Sequence, residues 1–354
     1  MADRYKLDSH KLIYHPLRVA DWLKGETIFP IYMEISPTGL CNHRCVFCSV
    51  DYMGYQNRHL ETGRLKEIIA ELGKGGLKSI MYAGEGEPFL HRDMAEITEY
   101  ARRCGIDNAF TTNGSLMTPE ISERVLPVTE WIKVSCNAGT PENYSQMHRT
   151  GPGEFDKVLK NLEYAADLRR RKGYTCVLGI QSVLLRENMH TIENLAAAAK
   201  EIGLDYYVVK PYMPHRLNAH HFEIDYHECQ VLAECLKRYD TSDFSVVFRT
   251  QAMERHDCAR KNYGTCYSLP FWSYLDAGGN IWGCSVHLTE EKYIFGNIYD
   301  QSFSEIWNGE KRTAFMKEFL RKPLPDTCKI NCRMDAVNEY LWNLKNPVRH
   351  VNFI

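Results

Sequence analysis

Nowhere among the 354 residues do 18 apolar side chains occur in succession, which excludes a membrane-spanning helix. A basic-then-apolar secretory leader is missing too, because Met1 to Lys6 is polar and charged, and the chain reads as cytoplasmic. Neither sign of charge is in excess: 43 Lys and Arg stand against 45 Asp and Glu, so no global field draws the chain to nucleic acid or an anionic membrane. Internal repeats and low-complexity tracts are absent. With 44% hydrophobic and 25% charged residues, the composition is that of a globular protein of one large domain or two modest ones.

Cysteine, by contrast, is plentiful. Thirteen is an odd number in a chain far too large to need disulfide staples, so an oxidised framework is not expected. Their placement is uneven. Cys41, Cys45 and Cys48 lie within eight residues, while Cys266, Cys284, Cys328 and Cys332 fall in the C-terminal stretch. The other six are scattered.

Between residues 30 and 212, short β-branched or aromatic runs alternate with segments of helical period, the pattern of a parallel sheet with crossover helices. Six strands are expected: Ile31–Ser36, Lys78–Ala83, Asn108–Thr112, Trp131–Cys136, Cys176–Leu185 and Tyr206–Pro211. The clearest helix starts at Glu154, where Phe155, Val158, Leu159, Leu162, Ala165, Ala166 and Leu168 make one apolar face, and Gly173 ends it. Six β/α units curl toward a barrel without closing it, so the fold class is α/β, a partial (β/α)6 TIM-like barrel with a small C-terminal α+β domain. Chemistry is then expected at the C-terminal ends of the strands.

The expected organisation is an N-terminal extension over 1–29, the barrel over 30–240, the second domain over 241–345 and a tail over 346–354. In the second domain, a strand Phe244–Arg249 precedes a hairpin of Phe271–Leu275 and Ile281–Cys284 around a Gly pair, then helices over Ser302–Leu320 and Asp335–Leu344. The tail is apolar enough that it is expected to pack back on the core.

Cys41-Asn-His-Arg-Cys45-Val-Phe-Cys48 sets three thiols at C-x3-C-x2-C spacing directly after the first strand, a pattern that chance would supply about 0.02 times in such a chain. Soft thiolates in a tight loop indicate a metal or a cluster. Zinc normally takes four ligands. Three thiolates suit a 4Fe–4S cluster that leaves one iron open to an exogenous molecule.

Here the sequence resembles the radical S-adenosylmethionine (radical SAM) enzymes, whose cluster motif has this spacing with an aromatic residue, here Phe47, before the third cysteine. Gly84, Gly86, Glu87 and Pro88, in Ala-Gly-Glu-Gly-Glu-Pro after the second strand, look like the family's Gly-Glu-Pro motif, which holds the methionine amino group. By position, the resemblance implies cofactor contacts from Thr112 and Asn113, from Ser135 and Asn137, and from Gly179 with Gln181. It implies S-adenosylmethionine on the open iron, reductive cleavage to a 5′-deoxyadenosyl radical, hydrogen abstraction from a substrate, and a flavodoxin- or ferredoxin-type reductant.

Cys266, Cys284, Cys328 and Cys332 resemble the short auxiliary-cluster extension of some members, the twitch or SPASM-like domain, and would hold a second 4Fe–4S cluster; structural zinc is the alternative. The last pair is C-x3-C where C-x2-C is commoner. A fully ligated cluster offers no open iron to substrate, which leaves electron transfer and makes oxidation of an alcohol carbon attractive. The layout looks like that of the aminocyclitol and sugar dehydrogenases of the group, implying a carbohydrate, aminocyclitol or sugar nucleotide as the small-molecule substrate.

Arg249, near the strand end before Cys266, and Lys210, at the exit of the sixth strand, are candidates to contact substrate. Tyr212, His215, Arg216, His220 and His221 share that exit and read equally as a solvated loop. An epimerase would instead need a free thiol as hydrogen donor, for which Cys136 and Cys258 are the candidates. Decarboxylation, carbon–carbon bond formation and peptide modification are further outcomes. Only 40 residues precede Cys41, which is too few for the leader-binding domain of many peptide-modifying relatives.

Overall fold

The computed structural model describes residues 9–258, 261–329 and 331–353, with the side chains of Asp257 and Cys258 outside that description. Its strands are β1 (Tyr32–Ile35), β2 (Ser79–Tyr82), β3 (Asp107–Thr112), β4 (Trp131–Ser135), β5 (Val177–Leu184), β6 (Tyr206–Pro211), β7 (Ser245–Phe248), β8 (Trp272–Leu275), β9 (Asn280–Trp282) and β10 (Ile294–Asn297). They form one open sheet in the order β10-β9-β8-β1-β2-β3-β4-β5-β6-β7. From β8 through β1 to β7 every pairing is parallel, and β8, β9 and β10 are antiparallel. The architecture is thus the partial α/β barrel expected, with its edges unjoined.

Alternation along the strands decides what faces the barrel interior. In β4, Ile132 and Val134 are fully buried against the helices, while Trp131, Lys133 and Ser135 alternate to the other side. The helix Glu154–Lys172 buries Phe155, Val158, Leu162, Ala165, Ala166 and Leu168, and Gly173 ends it in a left-handed conformation at φ +67°. Four basic residues in its last turn complement the helix dipole there.

The C-terminal region is woven into the same sheet. Ser245–Phe248, which the sequence grouped with the second domain, pairs parallel with β6, and no break in the sheet falls at residue 240. β8 lies beside β1, Tyr32 opposite Trp272, so the hairpin β8–β9 continues the barrel sheet at its other edge.

Two expectations need correction. The helix over Ser302–Leu320 is two helices, Phe303–Asn308 and Glu310–Phe319, broken at Gly309, whose ψ of 158° leaves the helical region. The tail does not pack back: Val348 and Phe353 are 77% and 83% exposed.

Candidate iron–sulfur and cofactor site

The three-thiol loop follows β1 and is pinned from below. Arg44 and Val46 donate backbone N–H groups to the His148 and Met147 carbonyls, at the end of the helix Pro141–His148. Asn42 bonds Ser115 and accepts from Asn113, tying the loop to the end of β3. Each sulfur has a hydrogen-bond donor. Cys41 receives one from the His43 backbone, Cys48 from the Val50 backbone and the Tyr55 hydroxyl, and Cys45 faces His148 Nδ1 at 3.3 Å. Burial and the neighbouring acidic groups push Cys41 up to about 12, and Cys45 rises well above a free thiol. Such thiols ionise only when a cation binds them.

His148 carries no sequence signal as an isolated histidine, yet its role follows from tautomer logic. Its Nε2 accepts the Asn137 backbone N–H at 3.1 Å, so Nε2 is bare and Nδ1 holds the proton that points at Cys45. The ring stacks on Tyr144 at 3.9 Å and meets Phe47 edge-on at 5.2 Å, which fixes its plane. Replacing His148 with Phe is therefore expected to lower the midpoint potential of the first cluster by on the order of 50 mV, about 1 kcal/mol on a one-electron couple. A redox titration followed by electron paramagnetic resonance reads this. An unchanged potential would reduce the imidazole to packing.

Gly84 and Gly86 line a cradle. A Cβ on Gly86 would lie 2.1 Å from the Leu40 carbonyl oxygen, and one on Gly84, at φ +109°, would lie 2.4 Å from the Tyr274 hydroxyl. Pro88 opens the next turn, Pro88–Leu90. Glu87 is buried and accepts from the Thr112 hydroxyl at 2.6 Å and from the Asn113 and Phe89 backbone at 2.7 and 3.2 Å. Burial still holds its carboxyl up at about 7, against the pull of those three donors. A buried carboxyl in that balance is completed by a cation, and the α-ammonium of S-adenosylmethionine is one.

The remaining cofactor candidates divide. Gln181 and Gly84 line the large cavity, with Thr111 beside Thr112. Asn137 is committed within the chain: it donates to Ser135 and accepts from the Val183 backbone at 2.6 Å, tying β4 to β5. Asn113 likewise bonds Asn42 and Ser115. On the interior face, Gly179 lies under the Tyr206 ring.

Cys266, Cys284, Cys328 and Cys332 line one small apolar pocket with Leu269, Trp272 and Phe319. The Val286 and Met334 backbones donate to Cys284 and Cys332, and Asn338 donates to Cys266 at 3.5 Å. Burial and the other thiols push Cys284 far up and Cys332 to about 12. Their spacing bears on zinc. Around tetrahedral zinc the sulfurs would sit about 3.8 Å apart, yet among the described residues only His43, Cys45 and His148 have donor atoms all within 4.8 Å. Four half-buried thiols, three of them hydrogen-bonded, held more widely than that suit a cubane.

A cavity of about 470 Å³ joins the two regions. Its lining takes in Gly84, Thr111 and Gln181 together with Cys284 and Cys332, and Lys210 and Arg249 stand on its wall. His215 also reaches it, but its Nε2 is bonded to the Val286 carbonyl and its ring stacks on Tyr52 at 4.3 Å. Arg216 pairs with Glu290 and His220 with Arg149, so this loop ties the barrel to the C-terminal region. Cys136 is fully buried in the apolar core, its thiol on the Ala138 carbonyl and away from the cavity lining. The side chain of Cys258 lies outside the described residues.

An open parallel barrel with a three-thiol loop after its first strand and a four-thiol pocket across the cavity defines an enzyme of two iron–sulfur clusters. The chain carries a radical SAM domain and a SPASM domain: residues 35–199 match the Radical SAM superfamily, and residues 266–333 match the SPASM iron-sulfur cluster-binding domain. Its cofactors are S-adenosylmethionine and two 4Fe–4S clusters. It is 26% identical over 313 residues to the AdoMet-dependent heme synthase of Methanosarcina barkeri, covering 81% of this chain and 83% of that protein. With GTP 3′,8-cyclase of Actinobacillus succinogenes it shares 27% over 215 residues, 58% of this chain and 61% of that one. Among solved structures, Streptococcus suis SuiB bound to S-adenosylmethionine superposes with a TM-score of 0.64 at 18% identity, over 84% of this chain and 70% of that one.

Proposed function

We propose that this chain is an oxidoreductase that takes a hydrogen atom from a hydroxyl-bearing carbon of a carbohydrate-type small molecule and completes a two-electron dehydrogenation. The observation that carries this reading is one cavity whose lining includes Gly84 of the cradle together with Cys284 and Cys332. When bound, S-adenosylmethionine and the two clusters supply a hydrogen-abstracting radical and a one-electron acceptor at the two ends.

For the substrate the balance is simple. A CH–OH carbon loses one hydrogen atom, its hydroxyl loses one proton to solvent, and the remaining electron leaves toward the Cys284 side, giving C=O. The protein's own part is positional. Gln181, with no side-chain partner among the described residues, is available to hydrogen-bond a ligand, while Trp272 and Tyr274 supply aromatic surface to the cavity lining. The candidate ligands are Cys41, Cys45 and Cys48 for the first cluster, and Cys266, Cys284, Cys328 and Cys332 for the second. Burial of Cys136 in the core gives no support to that thiol as a hydrogen donor, and the other candidate, Cys258, has its side chain outside the described residues.

The test is an anaerobic incubation with S-adenosylmethionine, dithionite and polyols or sugar nucleotides deuterated at their carbinol carbons. Deuterium should appear in 5′-deoxyadenosine, and the substrate should lose two hydrogens. Deuterium transfer with a product at the same oxidation level, in which hydrogen has replaced the lost deuterium, would overturn dehydrogenation in favour of a redox-neutral reaction.

A further inference from the structure

The cavity wall is far more basic than the chain as a whole. Lys133, Lys210, Arg249, Arg255, Lys329 and Arg333 line it, against the two carboxylates Glu34 and Asp335. Both carboxylates are already engaged, Glu34 with Arg333 and Asp335 with Lys261 and Tyr263. The chain as a whole is nearly neutral, so this is a local concentration of charge.

Some of that charge has an internal answer. Lys329 and Arg333 are chain neighbours of Cys328 and Cys332, and thiolates bound to a cluster would balance them. Lys133 and Lys210 stand elsewhere, on β4 and at the end of β6, and Arg249, which is itself engaged within the chain, follows β7 directly, in a stretch of sheet ordered β4-β5-β6-β7. Gln181 of β5 lies between them. Among the described residues, neither the Lys133 nor the Lys210 ammonium has an ion-pair or hydrogen-bond partner; Lys133 only approaches the Trp131 ring, at 5.5 Å. Clustering half-buried ammonium groups without counter-ions is costly, and a fold keeps such an arrangement where a ligand supplies the missing charge.

We propose that the substrate of this cavity is a small molecule carrying at least two negative charges, phosphate or carboxylate, which are seated between Lys133, Lys210 and Arg249 so that its hydroxyl-bearing carbon points toward the Glu87 cradle. This rests on the reading of the cavity as the substrate site and narrows it from polyols in general to anionic ones. Burial first, and then the neighbouring cations, hold Lys210 to about 7 and Lys133 to about 8, with the Glu34 carboxylate offsetting only part of this at Lys133.

Calorimetry on the anaerobically reconstituted holoenzyme, saturated with S-adenosylmethionine, tests the proposal with three probes: inorganic diphosphate, citrate and neutral glucose. Diphosphate or citrate should bind, with affinity falling as salt rises, and glucose should not compete. Preference between the two anions identifies phosphate or carboxylate as the recognised group. Lys210→Met and Arg249→Gln should each weaken the bound anion at least about tenfold. Lys210→Arg, which keeps the charge, should recover most of the loss and controls for folding. Binding of glucose with no binding of either anion would overturn the proposal, as would anion affinity unchanged in both variants. Failure of dehydrogenation alone would leave anion binding intact, so the two readings separate.

Discussion

Cys284→Ala is expected to leave S-adenosylmethionine cleavage within about threefold of the parent while product formation falls by at least about 100-fold. The separation follows from the layout. Cys284 belongs to the four-thiol pocket, where its sulfur takes the Val286 backbone N–H, and not to the three-thiol loop. Iron analysis should drop from about 8 toward about 4 per chain, with the signal of the first cluster retained. Retained iron in the first site also shows that the chain still folds. Persistent product formation would mean that the second cluster is structural and that the electron leaves by another route.

The reciprocal change has the opposite signature. Cys45→Ser should abolish S-adenosylmethionine cleavage, a loss of at least about 1,000-fold, or about 4 kcal/mol on the barrier. About four irons per chain should remain in the C-terminal pocket. Cys45 is the central thiol of the loop and the one that faces His148. Serine preserves its volume, so the packing of Phe47 on His148 is expected to survive. Cleavage within tenfold of the parent would remove Cys45 from the ligand set. Together the variants assign four irons to each end of the cavity without reference to any substrate.

Much of this layout can be read from the chain alone, and the reasons differ by element. The six barrel strands are legible because buried parallel strands are continuous apolar runs separated by helices of strong period. The two cysteine groups are legible because metal ligands must come as a set, and a set has spacing. What local pattern cannot carry is pairing between distant segments. Nothing in Trp272–Leu275 says that its neighbour is Tyr32–Ile35 rather than a partner within its own hairpin.

Single residues that act through a partner escape for the same reason. His148 looks ordinary until the Cys45 sulfur appears 3.3 Å away. Asn137 has the residue type and position of a cofactor contact, but its amide is spent on Ser135 and Val183. Lys133 did leave a trace. An ammonium at the middle of the strand Trp131–Ser135, between fully buried Ile132 and Val134, is hard to explain by core packing.

The pairing of β8 with β1 has a consequence for how such an enzyme can diversify. The strand that leads into the three-thiol loop and the strand that leads toward Cys284 are hydrogen-bonded neighbours, about 4.8 Å apart whatever happens in the chain between them. Insertions and substitutions over residues 212–225, or in the segments that carry Lys210 and Arg249, can reshape the cavity wall without moving these two strands apart. One side of the molecule can vary while the spacing on the other is kept.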